Sequence, residues 1–229
     1  MEDYKRNYYM LLERINDSTQ VVGRNPNDIT VVAVSKTFPA EVLKQAYNSG
    51  IRIFGENRVQ ELVEKQAVLP DDIKWHLIGH LQRNKVKYII DFVDMIHSLD
   101  SIELAEEIEK SARNKNKTVQ SLVQVNISGE DTKFGISPGD TLEFLKKVSE
   151  FTSLKIKGLM TIGPNVTDTG IIRESFKKMH SLYIDIKQKN LDNINMEILS
   201  MGMSNDFDIA IQEGSNMVRI GSAIFGKRL

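Results

Sequence analysis

The sequence has no cysteine among its 229 residues. That excludes disulfides and thiolate metal ligands, and it suits a reducing compartment. A dominant charge is lacking too: 30 Lys and Arg stand against 31 Asp and Glu, a formal net charge of −1. No global basic field is therefore present to hold nucleic acid or an anionic membrane, and the run RNKVKY at 83–88 reads as a solvated helix face. No uninterrupted apolar run approaches a bilayer span. The N-terminal MEDYKRNYYMLLERI is charged throughout and has no signal-peptide core. Low-complexity linkers and charge blocks are missing as well. These absences lead us to expect a cytoplasmic protein in which residues 1–229 form one domain. The 41% hydrophobic content is enough for a sizeable core.

What is present is an alternation. A helix runs to about Val22, with Tyr8, Leu11, Leu12 and Ile15 at helical spacing and Gly23 and Pro26 closing it. ITVVAVSK then reads as a strand buried on both faces, and PAEVLKQAYNSG as a helix with Pro39 near its first turn. The unit recurs. IRIFGE, IKWHLIG, FVDMIHSLD, SLVQVNI, LKIKGLMTIG, NMEILSMG and MVRIGSAIFG read as strands. Between them RVQELVEKQAVL, LQRNKVKYII, IELAEEIEKSARNK, TLEFLKKVSEF, RESFKKMHSLYIDIKQK and SNDFDIAIQEG read as helices, the last with Ser204 at its cap. Eight strands alternating with helices predict a (β/α)8 barrel with an extra N-terminal helix. An open doubly wound sheet is the alternative, with fewer strands than are read here.

In such a barrel, chemistry gathers where strands end. Lys36 stands out because a buried-looking strand finishes on it. The ordinary reading of such a lysine is a solvent-facing side chain, or an ion pair with a neighbour such as Glu56. Its place on a rim of polar strand ends (Asn57, His80, His97, Asp100, Asn126, Thr161, Ser200, Arg219) favours a desolvated amine that condenses with carbonyl compounds. The segments SMGMSND and RIGSAIFG lie where barrels commonly bind phosphate, and their glycines and serines offer backbone and hydroxyl donors. A phosphorylated carbonyl ligand follows. No G-x-G-x-x-G, P-loop or G-x-S-x-G pattern is present. His76, His80 and His97 lie on different strands without a carboxylate cluster, so no metal is expected. His76 beside Trp75 reads as a core residue.

The segments AVSKTFP, FGENRVQEL, KWHLIGHLQRNK, HSLD, VNISGEDTKFGI, GLMTIG, LSMGMSNDFDIAI and GSNMVRIGSAIFG, in this order, resemble the pyridoxal phosphate homeostasis protein family. That family is similar to the barrel domain of alanine racemase. The resemblance runs from about residue 29 to the C-terminus. Asn205 departs from it, where other members often carry Ser or Asp, and so does Asn216, where they often carry Thr. The resemblance implies a fold type III barrel without the racemase β-domain. It implies that Lys36 holds pyridoxal 5′-phosphate (PLP) as an internal aldimine, that Asn57 lies near the ring, that Arg219 faces the pyridine nitrogen, and that Ser200, Ser204, Gly221 and Ser222 surround the phosphate. It further implies a role in vitamin B6 homeostasis without a reaction of its own, with PLP-dependent apoenzymes as recipients, and the absence of the partner-dependent domain leads us to expect a monomer.

Two enzymatic alternatives remain. A racemase on the same cofactor needs acid–base groups on both faces of the substrate carbon. Racemases resembling this barrel complete the site with a tyrosine, using an appended β-domain and a partner subunit, and this sequence stops just past the eighth strand. None of its six tyrosines falls at a predicted strand end. A Schiff-base aldolase needs a base beside the lysine, and Glu56 is the only obvious candidate. For Arg219, the plain alternative to a cofactor role is an ion pair with Glu213.

Overall fold

The computed structural model describes residues 3–130 and 132–226. Helix α1 (Tyr4–Gln20) comes first. There follow β1 (Thr30–Val34), α2 (Ala40–Asn48), β2 (Ile53–Glu56), α3 (Val59–Gln66), β3 (Lys74–Leu77), β4 (Val93–Leu99), α4 (Ile102–Asn114), β5 (Val119–Gln124) and α5 (Thr141–Val148). The chain continues through β6 (Leu154–Met160), α6 (Thr169–Gln188), β7 (Ile194–Ser200), α7 (Phe207–Gln212), β8 (Met217–Ile220) and α8 (Ser222–Phe225). The strands pair in chain order, all parallel, and β1 closes on β8 from Thr30–Met217 to Ala33–Ile220. This is the expected (β/α)8 barrel with its additional N-terminal helix. α1 packs against α7 and α8, with Leu11 and Ile15 buried.

The strands form because their side chains have apolar neighbours on both sides. Alternate residues point into the barrel, where Val32, Met95, Leu122, Met160 and Met217 fill the centre with Ile53, Ile78 and Ile198 against them. The opposite faces join the main core under the helices, as Ala33, Phe54, Ile96, Val123 and Leu159 do. The helices present one buried stripe each; in α4 it is Leu104, Ala105, Ile108 and Ala112, and the Ser101 hydroxyl accepts from the Leu104 amide at 3.4 Å.

Three local readings change. LQRNKVKYII does not form an α-helix: only Arg83–Tyr88 coil, as a 3-10 helix. Leu81, Val86, Ile89 and Ile90 are all buried, so the segment follows the side chains it must bury between β3 and β4 rather than a 3.6-residue period. α7 starts later than its sequence suggests, with Asp206 rather than Ser204 at its N-cap. His97 sits inside the barrel, not on its rim, and is fully buried.

The β7–β8 seam has a single backbone register pair, Ser200–Met217. Side chains complete it. Asn216 accepts from the Leu199 amide at 2.8 Å and donates to the Glu197 carbonyl at 2.7 Å. Its departure from the family pattern thus carries both a donor and an acceptor across the closure.

Candidate functional site

At the C-terminal rim, the loops after β1, β2, β3, β5, β6, β7 and β8 enclose a cavity of ≈ 760 Å3. Lys36, Asn57, Ser204, Arg219, Gly221 and Ser222 all line it, with Val34 and Ile78 as apolar wall. Six of the seven expected site residues therefore meet in one space.

The seventh, Ser200, does not line the cavity. It is fully buried beneath Arg219, accepting from Nη1 at 2.8 Å through its hydroxyl and at 3.0 Å through its carbonyl. Nη2 of Arg219 donates to the Thr161 carbonyl at 2.8 Å. These bonds hold a guanidinium that is only 4% exposed yet reaches the cavity. Glu213 is not its partner, since that carboxylate pairs with Arg173. The carboxylate acting on Arg219 is Asp206, another lining residue. Burial pulls the Arg219 pKa down to about 10, and Asp206 works the other way. At neutral pH Arg219 is a cation.

Behind Arg219 runs a buried polar chain. Arginine can only donate, so the Ser200 hydroxyl accepts from it and directs its own proton to His97 Nδ1, 3.4 Å away. His97 then carries its proton on Nε2 and donates to His76 Nδ1 at 2.9 Å. Both rings are neutral: burial pushes His76 down to about 3, and burial, His76 and Arg219 together hold His97 well below its usual value. The pair is an internal support for Arg219. His80 lies apart, paired with Asp100 at 3.2 Å and stacked on Phe134.

Lys36 lies two residues past the end of β1. Glu56, its candidate partner by sequence, binds Lys65 Nζ and the Ser35 hydroxyl, each at 2.6 Å. On the far side of the cavity, the Ser204 hydroxyl accepts from the amides of Gly221 at 3.2 Å and Ala223 at 3.4 Å. The Gly221 and Ala223 N–H groups thus point at one hydroxyl oxygen beside the cavity at the end of β8, where an entering anionic group would compete for them. Asn57 Oδ1 is buried and has no hydrogen-bond partner among the described residues, an orphan that a ligand donor would satisfy. An amine, a cluster of anion donors, an orphan acceptor and a buried cation in one partly apolar cavity fit a phosphorylated aromatic aldehyde.

Sequence reasoning missed several parts of this wall. Residues 162–167 after β6 line the cavity, as do Asp206 and Lys133. Lys133 is brought in by the loop after β5, which Asn126 braces through bonds to the Glu130 and Lys133 carbonyls, and its amine donates to Glu130 at 2.6 Å and the Gly163 carbonyl at 2.9 Å. Loops of this kind leave little periodic signal. Among the described residues no tyrosine lines the cavity.

Comparison with known proteins agrees with this geometry. The family model for the alanine racemase N-terminal domain matches residues 12–228, starting inside α1 and so earlier than residue 29. A pyridoxal phosphate homeostasis protein of Aquifex aeolicus is 42% identical over 219 residues, covering 95% of each chain. An unknown protein from Bifidobacterium adolescentis has a similar structure, with a TM-score of 0.93 and 33% identity over 98% of this chain and 97% of that one. PipY of Synechococcus elongatus, solved with PLP bound, has a TM-score of 0.81 and 33% identity over 94% of this chain and 99% of its own. By match and by coverage, the chain belongs to the alanine racemase N-terminal domain family, among its pyridoxal phosphate homeostasis proteins.

Proposed function

We propose that this chain holds PLP covalently on Lys36 and serves intracellular PLP homeostasis, without a catalytic reaction of its own. The observation that carries the reading is the meeting of Lys36, the Ser204–Gly221–Ser222 donors and the buried Arg219 in one cavity. When bound, PLP supplies an aldehyde that condenses with amines and a ring that draws electrons from the adjacent carbon. Lys36 provides the amine. Ser204 and Ser222 would hold the phosphate, with the Gly221 amide turning from Ser204 to join them, and Asn57 Oδ1 would accept a hydrogen bond from the ligand. Arg219 would face the ring nitrogen; as a donor that stays protonated, it would disfavour protonation of that atom by like-charge repulsion.

An unprotonated ring is a weak electron sink, and what favours a carrier over a racemase is that no tyrosine lines the cavity among the described residues. The other titratable groups at the cavity are engaged: Asp206 accepts from the Met203 amide at 2.5 Å, and Lys133 is bound as described. The recipients we propose are PLP-dependent apoenzymes. Ile162, Val166 and Met203, partly exposed at the cavity wall, supply apolar surface for such an encounter. An absorbance titration with PLP tests the reading. Wild type should develop a visible band, and Lys36→Ala should lose it while keeping its melting temperature within a few degrees. A band of equal strength in Lys36→Ala rejects the assignment.

A further inference from the structure

A buried ion cluster lies behind Lys36. Lys65 on α3 is 6% exposed, and its ammonium donates to the Ser35 carbonyl at 3.0 Å, to Glu56 Oε1 at 2.6 Å and to Glu61 Oε2 at 3.3 Å. All three of its protons are used. Glu61 Oε2 also accepts from the Thr37 amide at 2.9 Å. The Ser35 carbonyl belongs to the peptide before Lys36, and the Thr37 amide to the peptide after it. Both peptide groups that flank the lysine are therefore fastened to one charged pair, Glu61 and Lys65, spaced a single helical turn apart.

The fastening coincides with strain. Thr37 has φ +70°, in the left-handed region that a β-branched residue seldom enters. Such a conformation persists only where surrounding structure imposes it. Here the charge-assisted bond from Thr37 to Glu61 does so, and it decides where the chain turns after Lys36.

We propose that Glu61 and Lys65 are positioning residues for Lys36: they clamp the strained turn so that the lysine amine is aimed into the cavity before the cofactor arrives. The proposal rests on the reading of Lys36 as the covalent anchor. Its chemistry is that of pre-organisation, in which a long, mobile side chain has its base fixed so that less freedom is lost on binding.

The test is an absorbance titration with PLP on wild type, Lys36→Ala, Glu61→Ala, Glu61→Asp and Glu61→Gln, with melting temperatures measured alongside. Glu61→Ala removes the acceptor. Glu61→Asp keeps the charge but shortens the reach, and it remains informative if the alanine variant fails to fold. Both should bind PLP about tenfold more weakly and more slowly, with little change in melting temperature. Glu61→Gln, which keeps an oxygen at the same reach, should retain most of the affinity. Thr37→Gly added to Glu61→Ala should recover much of the loss, because glycine enters the left-handed region without strain. Affinities within twofold of wild type in both Glu61→Ala and Glu61→Asp overturn the positioning role while leaving Lys36 in place. A wild-type band that survives in Lys36→Ala overturns the anchor itself, and the proposal with it.

Discussion

At the scale of residues, the site is decided by which polar groups are kept fixed and which protonation states are forbidden. Arg219 is held by three hydrogen bonds from its guanidinium and has two neutral histidines behind its serine partner. It has little room to move and keeps its charge. If that charge silences the ring, Arg219→Gln should raise proton exchange at the α-carbon of added amino acids by about tenfold, equivalent to about 1.4 kcal/mol in the barrier. Deuterium uptake from heavy water at equal cofactor occupancy measures it, and equal rates in wild type and variant would contradict the silencing. The candidate residues on the rim were legible in the sequence because each follows a readable strand. The depth of Ser200 and His97 was not. Whether a residue at a strand's end faces the cavity or the barrel interior depends on register and shear, and these are set by the neighbouring strands.

At the scale of elements, β7, β8 and the two short helices after them build one end of the cavity, the end proposed to take the phosphate. The Ser204 hydroxyl already gathers the Gly221 and Ala223 amides, so the loop after β7 and the start of α8 are arranged together. Ser204→Ala and Ser222→Ala should each weaken PLP retention by about 1.5–3 kcal/mol, the range for a hydrogen bond to a charged group, without abolishing the visible band. Equilibrium dialysis against free PLP reads this, and unchanged affinity in both variants would move the phosphate elsewhere. Gly202 makes the arrangement possible. It has φ +93°, and a Cβ there would lie 2.5 Å from the Ala210 Cβ and 2.9 Å from the Phe207 Cα, in the body of α7. The apolar strand runs and helix stripes were plain from sequence. The 3-10 segment at Arg83–Tyr88 was not, since four burial-driven positions imitated a helical period.

At the scale of the whole molecule, the barrel encloses titratable groups whose neutrality is part of its stability. His76 is pushed down to about 3, and His97 also lies well below 6.5. Between the two limits the unfolded chain binds protons that the folded chain refuses. For His76 the stabilisation is complete above pH 6.5 and is lost as pH falls toward 3, by about 1.4 kcal/mol per pH unit, and His97 acts in the same direction. Glu56, Asp94, Asp100 and Asp206 have raised values and act in the opposite sense at the acid end. Urea unfolding of wild type and His76→Gln from pH 7 to 4.5 isolates the histidine share: the variant should show the shallower slope, and parallel slopes would mean that His76 is protonated in the fold. The barrel itself was legible because eight buried strands can scarcely close otherwise. The Lys65–Glu56–Glu61 cluster was invisible because a buried lysine and an exposed one look alike in sequence. Everything proposed for the cavity depends on Lys36 holding PLP, and borohydride reduction of PLP-loaded protein, followed by peptide mass mapping, tests this. A reduced pyridoxyl group is expected on the peptide carrying Lys36, whereas a modified lysine elsewhere with Lys36 untouched would mean that PLP is held at another site.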